Sequence, residues 1–454
     1  MKWRKLTALL LTASLGFTML AGCGNKENNE TKDPDVTDND KTDDKEGDDK
    51  EVVELSIAVH EGGYGRAYWD AVAEAFEKQH EGVKVVIQSS PEIGEVIRPQ
   101  ILAGNVPDFI YLPSSNASGV TTALIKDKAL ADISDVMEKV KDKIIPGFLD
   151  TKSCKPYDDG KIYLAPMYYS TMGLWYNKDY FEKNNLEVPV TWDDFFALGD
   201  KVTDRALFTY QGLYPGYLES MVIPAIASAA GADVMESCFN YDETAWQTPE
   251  VKAVLANIAK IGTGGYLMEG TVALDHTQAQ GQWLLGKAMF HPNGSWVEGE
   301  MADAPKEDGF EYGFAAPPVL DANGDKAVYT AVEEIFIPAA AKHVDLAKEF
   351  LEFQYSDEAV KLNAELAKGI PPVVGAAELI KEVASPAVYE SYTIFDKGYV
   401  PYVGNFAPVE ETEIIPKDEL YNPIGDVMSG KLSVDDWIAK MVDMCKAVQD
   451  KVVK

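Results

Sequence analysis

Cysteine and histidine are scarce in this sequence, and neither is spaced for metal or redox chemistry. Besides Cys23, the cysteines are Cys154, Cys238 and Cys445, which allow at most one disulfide among them and form no CxxC pair. The five histidines include no HExxH motif, and no GxSxG motif presents a nucleophilic serine. We therefore expect no metal site and no cofactor, and the cysteine spacing gives no basis for predicting a disulfide.

A phosphate-binding loop is also missing. Residues 281–287, GQWLLGK, match the first seven positions of a P-loop, but Ala288 stands where a hydroxyl side chain would bind magnesium. Trp283, Leu284 and Leu285 occupy positions where small residues let backbone amides surround a phosphate. The sequence therefore argues against nucleotide binding at this segment.

Positive charge is in short supply. Lysines and arginines number 41 against 74 acidic residues, which gives a formal net charge of −33. A surface this acidic repels nucleic acid and anionic lipid, so we expect neither as a partner. The remaining partner classes are a neutral or cationic small ligand and another protein. At 46% hydrophobic residues the chain can build a large core, and the roughly 400 residues after residue 51 suffice for two domains.

Long apolar runs are absent except at the N-terminus. There, basic residues precede an apolar stretch over 6–20, which is short for a transmembrane helix of about 20 residues and typical of a signal peptide ending at residue 22. The sequence LAGC at 20–23 resembles a bacterial lipobox, in which Cys23 takes a diacylglycerol; an ordinary cleavage site beside a free cysteine is the alternative. Two acyl chains hold a protein on a membrane where a single chain is marginal.

The segment from Cys23 to residue 51 is acidic, with no aromatic residue and a single valine. It cannot bury enough apolar surface to offset the entropy of ordering, so we expect a disordered tether. Its acidic residues lack the fixed ligand spacing of an EF-hand loop, which argues against a calcium site.

After residue 51 the hydrophobic pattern alternates between strand and helix periods. A strand-like run at 52–60 is followed by a run at 68–80 with helical spacing, and two more strand-like runs follow at 83–88 and 107–113. This β-α-β order predicts an α/β fold with a parallel sheet. Because ligands bind beyond the carboxyl ends of parallel strands, residues 60–64 and 114–116 are candidate site edges.

Start and stop signals mark later elements. Thr191 followed by Asp194 predicts a capped helix start, and a second helix is predicted over 248–262, between a Thr-Pro pair and a glycine. The sequence SVDD at 433–436 opens a final helix, and DANGD at 321–325 predicts a hairpin turn.

Aromatic residues recur in segments that we interpret as loops: YQGLYPGY (210–217), HTQAQGQW (276–283), NGSW (293–296) and GYVPY (398–402). Sugars present an apolar face and a rim of hydroxyls, so their sites combine aromatic rings with amides and carboxylates. Any single one of these rings is more often a core residue, but as a set beside Asn and Gln they favour a binding site.

Glycoside hydrolysis by paired carboxylates stays open, because such a pair from distant segments leaves no local motif. Glu333 and Glu334 cannot be that pair if AVEEIFIP (331–338) is a strand, since neighbouring side chains then point to opposite faces. A binder that does not hydrolyse its ligand has no need of a general acid with a raised pKa. We expect no catalytic residues.

Two long segments resemble the extracellular solute-binding proteins that serve carbohydrate ABC importers: 161–202, which begins KIYLAPMYY, and 339–360 with GIPPV at 369–373. Shorter segments resemble the subgroup that binds N-acetylglucosamine and its chitin disaccharide: GGYG (62–65), YPGY (214–217), DHTQAQGQW (275–283), NGSWVEGEM (293–301) and EEIFIP (333–338). The resemblance implies a type II periplasmic-binding-protein-like fold with two hinged, discontinuous lobes. By analogy, lobe 1 is 52–166 plus 316–340 and lobe 2 is 167–315 plus 341–454.

The resemblance also implies ligand-binding residues, with Trp296 as the main stacking platform and Trp192 as a packing residue at a helix start. The candidates are Glu61, Tyr64, Ser115, Asn116, Tyr168, Tyr214, Tyr217, Gln280, Asn293, Trp296, Glu300 and Glu333. The implied protein is a monomer that binds a carbohydrate between its lobes at the outer face of the cell membrane and delivers it to permease subunits. A lipid-anchored glycoside hydrolase, and a binder of peptides or polyamines, are the alternatives.

Overall fold

The structure is a computed structural model that describes residues 52–62, 64–113, 118–157, 159–367 and 369–452. The predicted signal peptide and tether, the lipidation candidate Cys23, and the site candidates Ser115 and Asn116 lie outside the described residues. None of the helices within these ranges is both long and apolar enough to cross a membrane.

Strands and helices alternate along the chain, as the periodicity predicts. The strands are β1 (Val53–His60), β2 (Val83–Ser90), β3 (Phe109–Pro113), β4 (Leu164–Thr171), β5 (Gly173–Asn177), β6 (Ala206–Phe208), β7 (Ala288–Asn293), β8 (Tyr312–Ala315), β9 (Ala327–Phe336) and β10 (Val400–Tyr402). The helices are α1 (Ala67–Gln79), α2 (Ile93–Leu102), α3 (Val120–Lys126), α4 (Ser134–Val140), α5 (Lys178–Lys183), α6 (Trp192–Lys201), α7 (Glu219–Ala230), α8 (Ala232–Phe239), α9 (Pro249–Thr263), α10 (His276–Leu284), α11 (Val297–Glu300), α12 (Val344–Gln354), α13 (Asp357–Leu366), α14 (Pro386–Tyr392), α15 (Pro416–Tyr421), α16 (Ile424–Met428) and α17 (Val434–Val448).

The strands form two separate sheets. The first has the order β10-β9-β3-β1-β2, with β4 also paired to β9, and its strands β1, β2 and β3 run parallel as the β-α-β pattern predicts. The second has the order β6-β7-β5-β8, in which β5 is antiparallel to both of its neighbours. Each sheet packs against helices, which gives a mixed α/β architecture.

Each sheet has its own main hydrophobic core. Buried side chains of α1, including Trp69 and Phe76, pack under the first sheet together with residues of α12 and α13. Residues of α6, α7, α9 and α17 fill the core beside the second sheet. The lobe limits implied by the resemblance stay a prediction. They assign 341–454 to lobe 2, and α12 and α13, which lie in that range, pack with the first sheet.

The antiparallel pair β4 and β9 connects the two cores. Tyr169 of β4 and Ile335 of β9 lie in the first core, whereas Met172 and Tyr329 pack in the second. The chain therefore passes between the lobes along paired strands. This accounts for the absence of a polar linker in mid-sequence.

Local signals were accurate at helix starts. Thr191 accepts a hydrogen bond from the backbone N–H of Asp194 and Asp194 caps Thr191 in return, which forms the predicted capping box, and Trp192 is buried at this helix start. The predicted hairpin turn at 321–325 is wrong in one respect: the chain turns there, but the flanking strands β8 and β9 belong to different sheets. Local turn chemistry indicates a reversal and does not say which strands pair.

Candidate functional site

One edge of the first sheet gathers several predicted residues. Strands β1 and β3 are parallel, so their carboxyl ends meet there, and β9 runs antiparallel to β3. Glu333 of β9 therefore pairs with Pro113 at the end of β3 and with Tyr168 of β4 on the other side. Tyr64, from the loop after β1, stacks on Tyr168 with ring centroids 3.9 Å apart.

Glu333 is an acidic side chain in a largely aromatic environment. The Tyr111 hydroxyl donates a hydrogen bond to its carboxylate. Burial raises the pKa of the Glu333 carboxyl, and the Tyr111 hydrogen bond and the nearby His60 partly oppose that rise. Burial, followed by the proximity of Tyr392 and Glu333, also raises the pKa of Tyr64, which keeps its hydroxyl protonated.

Glu61 lies at the same sheet edge but is engaged with β2. Its carboxylate accepts a hydrogen bond from the Ser89 hydroxyl at 3.0 Å, and Ser89 in turn accepts one from the Arg66 guanidinium at 2.9 Å. Glu61 therefore anchors the loop that carries Tyr64.

The second lobe contributes a cluster of three rings. The YPGY segment forms a short 3-10 helix, Pro215–Leu218. The half-exposed Tyr214 stacks on His276 with centroids 4.5 Å apart and planes 6° from parallel, and Tyr217 packs edge-on against the same imidazole, also at 4.5 Å. Two segments distant in sequence thus build one aromatic surface.

A buried amide, that of Gln211, fixes the backbone that precedes this aromatic surface. Gln211 is fully buried, and its Nε2 lies 3.0 Å from Nε2 of His291 and donates to the Pro292 carbonyl at 3.3 Å. Burial lowers the pKa of His291 to about 3, so its imidazole is neutral at physiological pH. A neutral Nε2 can accept the amide proton, which fixes the start of the loop that carries Tyr214.

The segment HTQAQGQW is a helix, so its interpretation as a loop is wrong. Asp275 caps α10 and forms a capping box with Gln278, and this start signal outweighs the glycine within the segment. Gln280 is buried in α10, and its amide donates to the Glu300 carboxylate at 2.9 Å. The structure therefore brings these two predicted residues together, with Glu300 on the exposed side.

Asn293 and Trp296 flank the turn after β7. Asn293 is fully buried; its Oδ1 accepts from the Gly294 N–H at 2.9 Å, and its Nδ2 has no hydrogen-bond partner among the described residues. The half-buried Trp296 ring lies over Gly294, where a Cβ would sit 2.2 Å from the indole. Only glycine leaves room for the ring in this position, so the NGSW turn fixes the orientation of Trp296.

A large cleft joins residues of both lobes. It encloses about 1220 Å³ and is lined by four of the predicted residues: Tyr214, Tyr217, Trp296 and Glu333. The other described candidates lie outside its lining: Glu61, Tyr64, Tyr168, Gln280, Asn293 and Glu300. Of these, Tyr168 pairs with Glu333 across the β4–β9 ladder. Burial raises the pKa of Tyr217, and the nearby charge of Glu300 raises it further.

Several charged residues of the cleft belong to no motif in the sequence. Its charged lining consists of four lysines and five carboxylates: Lys126, Lys128, Lys152, Lys417, Glu219, Glu236, Glu333, Glu334 and Asp418. Glu219 opens helix α7, in which the next eight residues are all buried, and no motif in the sequence marks it. In the described part of the chain, no group of three or more His, Cys, Asp or Glu side chains is arranged to hold a metal ion.

Comparisons with known proteins agree with this architecture. A family model for bacterial extracellular solute-binding proteins matches residues 62–361. The diacetylchitobiose binding protein NgcE of Streptomyces coelicolor is 27% identical over 334 residues, 70% of this chain and 70% of that protein. The multiple sugar-binding protein of Streptococcus mutans is 24% identical over 408 residues, covering 88% and 90%.

Among solved structures, the apo-form of RafE from Streptococcus pneumoniae superimposes with a TM-score of 0.69 at 18% identity, covering 88% of this chain and 98% of that one. At this identity the likeness shows the fold alone. The predicted two-lobed α/β fold is confirmed.

Proposed function

Because this chain belongs to the family of bacterial extracellular solute-binding proteins, we propose that it captures a saccharide in the cleft and delivers it unchanged to the permease subunits of an ABC importer. N-acetylglucosamine or a chitooligosaccharide is the preferred ligand, supported by the name of the NgcE relative and by the subgroup motifs. Ligand that contacts both lobes favours their closed arrangement by its differential affinity. Micromolar binding, about 8 kcal/mol, suits both capture and release.

The observation that carries the proposal is the composition of the cleft. Exposed faces of Trp296 and of the Tyr214–His276–Tyr217 cluster offer flat apolar surfaces, and carboxylates and lysines surround them. Rings for the C–H faces of sugars and polar groups for their hydroxyls are what carbohydrate recognition needs. The cleft also exceeds the volume of about 300–1,000 Å³ common for small-ligand sites, which favours a ligand of more than one sugar ring.

Charge argues against polyamines and cationic peptides. The chain carries a net charge of −33, yet the charged residues of the cleft are nearly balanced, with four lysines against five carboxylates. A site for a polycation would concentrate carboxylates and exclude lysine. The near balance suits a neutral ligand.

A glycoside hydrolase is the second candidate, and one observation favours it. Glu219 and Glu333 both line the cleft, and burial raises the pKa of each carboxyl, as a general acid requires. However, each has an assigned partner, Lys417 for Glu219 and Tyr111 for Glu333, and perturbed carboxyls also occur in binding sites. The family membership favours capture.

Localisation forms part of the proposal. We propose that Cys23 carries a lipid that holds the protein at the extracellular face of the cell membrane, with the acidic residues up to 51 as a tether. Relatives in Streptococcus pneumoniae are named as solute-binding lipoproteins, which supports this anchor. We further propose that the protein acts as a monomer.

Isothermal titration calorimetry against a panel of solutes tests the function. The panel holds N-acetylglucosamine, N,N′-diacetylchitobiose, maltotriose, raffinose, putrescine and a trilysine peptide, and chromatography of each mixture after incubation detects cleavage. We expect micromolar binding of at least one saccharide, no heat with the cations, and intact sugar. Binding of putrescine or the peptide alone, or accumulation of shortened saccharides, would overturn the proposal.

A further inference from the structure

An ion pair lies within the cleft at a point that no sequence motif marks. Lys417 of α15 donates a hydrogen bond to Oε2 of Glu219, at the start of α7, over 2.6 Å. Both residues line the cleft, and they are 198 positions apart in the chain. The pair is partly accessible: the side chain of Lys417 is 41% exposed and that of Glu219 is 16% exposed.

Glu219 is short of hydrogen-bond donors for a carboxylate at this depth. Among the described residues, Lys417 is the only side chain or backbone group that donates to it. A carboxylate has about four lone-pair positions, and partial burial with few donors disfavours its charge. Burial accordingly raises the pKa of Glu219 in spite of the opposing lysine.

One contact, with Gly216, holds Lys417 in place beside the aromatic cluster. Its aliphatic stem packs against Gly216 of the YPGY segment, where a Cβ would lie 3.2 Å from the lysine Cε. The ammonium is therefore positioned by the loop that also carries Tyr214 and Tyr217.

A buried hydroxyl beside the pair is also without a partner. Tyr421 is 2% exposed, and its hydroxyl has no hydrogen-bond partner in the described part of the chain. Burial, with a further contribution from the nearby charge of Glu219, raises its pKa, which keeps this hydroxyl protonated. Tyr421 does not line the cleft, whereas Glu219 does, so the acceptor positions of Glu219 that no described group fills are the ones a bound ligand can reach.

We propose that Glu219 and Lys417 form a subsite for two adjacent hydroxyl groups of the bound saccharide. One hydroxyl donates to the free lone pairs of the Glu219 carboxylate, and its neighbour accepts a second N–H from the Lys417 ammonium. A vicinal diol presents a donor and an acceptor at this spacing, and the paired charges cancel, so a neutral sugar meets no net field. This inference rests on the proposed function and assigns it a specificity-determining pair.

Titration calorimetry on two variants tests the subsite. Wild-type protein is first titrated with N,N′-diacetylchitobiose, maltotriose and raffinose, and the tightest binder is the probe. Glu219→Gln keeps the side-chain volume and removes the charge, and Lys417→Met keeps the stem that packs on Gly216. Asp135→Asn is the matched control, because Asp135 forms an ion pair of similar length with Lys348, 2.8 Å, outside the cleft.

We expect each cleft variant to bind the probe about 10- to 100-fold more weakly, as loss of a hydrogen bond to a charged group predicts. We expect Asp135→Asn to bind it within twofold of wild type. Mono-deoxy analogues of the probe supply a second readout: one analogue should bind wild type more weakly by a similar factor, and Glu219→Gln should not distinguish it from the parent sugar. A purely structural ion pair would not produce this coupling.

The possible failures are distinguishable. If wild type binds none of the saccharides, the proposed function falls and this inference with it. If wild type binds the probe and both cleft variants bind it as tightly as Asp135→Asn does, the subsite is refuted while the proposed function stands. Should Glu219→Gln fail to fold, as circular dichroism would reveal, Lys417→Met with the deoxy series decides the question.

Discussion

Replacement of Trp296 by alanine separates ligand stacking from packing. Complete burial of a tryptophan is worth about 3–5 kcal/mol on truncation to alanine, and Trp296 is half-buried against the second core, so we expect the free energy of unfolding to fall by about 1–2 kcal/mol. Its exposed face lines the cleft, and losing one aromatic platform should weaken saccharide binding by about 1–3 kcal/mol, or roughly 5- to 150-fold.

The assay combines thermal unfolding with calorimetric titration of the best saccharide. Trp296→Phe keeps a flat ring and should recover most of the affinity. Tyr266→Ala is the matched control, because Tyr266 is also partly buried against the second core but does not line the cleft. We expect that control to lose stability and retain affinity. If Trp296→Ala loses this stability and yet binds the saccharide as tightly as wild type does, Trp296 is a packing residue and does not stack on the ligand.

Further predictions concern pH, capping and anchoring. The folded pKa of Glu333 lies above its ordinary value of 4.5, so the folded state binds more protons than the unfolded state between the two values, and stability falls as pH rises through this window. Glu333→Gln should remove that fall, so its thermal midpoint should exceed that of wild type at pH 8 and match it at pH 4; equal midpoints at both pH values would contradict the assignment. Thr191→Ala removes the capping box with Asp194 and should cost about 1 kcal/mol in urea unfolding, whereas no change would mean that water replaces the cap. Cys23→Ala should move the protein from the membrane fraction to the medium in a bacterial host, and continued membrane association would show that Cys23 does not anchor it.

Elements with a strong local pattern could be predicted from the sequence. The alternation of apolar and polar residues over 52–60 predicts β1, and the helical spacing of apolar residues over 68–80 predicts α1. Thr191 marks the start of α6. Each of these depends on residues close together in the chain. The internal glycine and the amides of segment 276–283 are typical of a loop, which makes the loop prediction wrong here, because Asp275 and Gln278 supply a complete capping box.

The candidate site was only partly predictable, because the cleft depends on contacts between distant segments. Tyr214, Tyr217, Trp296 and Glu333 follow from motifs, and the structure brings them to one cleft. The Glu219–Lys417 pair joins residues 198 positions apart, and no periodicity links them. The position of β9 between β3 and β4, which places Glu333 at the sheet edge, likewise depends on strand order and not on the pattern of the strand itself.

A crystal structure of the protein with its best-binding saccharide tests the central claim most directly. We expect a sugar ring stacked on Trp296 in the cleft between the two lobes, with every glycosidic bond intact. A saccharide bound elsewhere on the surface, or shortened products in the cleft beside Glu219 and Glu333, would contradict it.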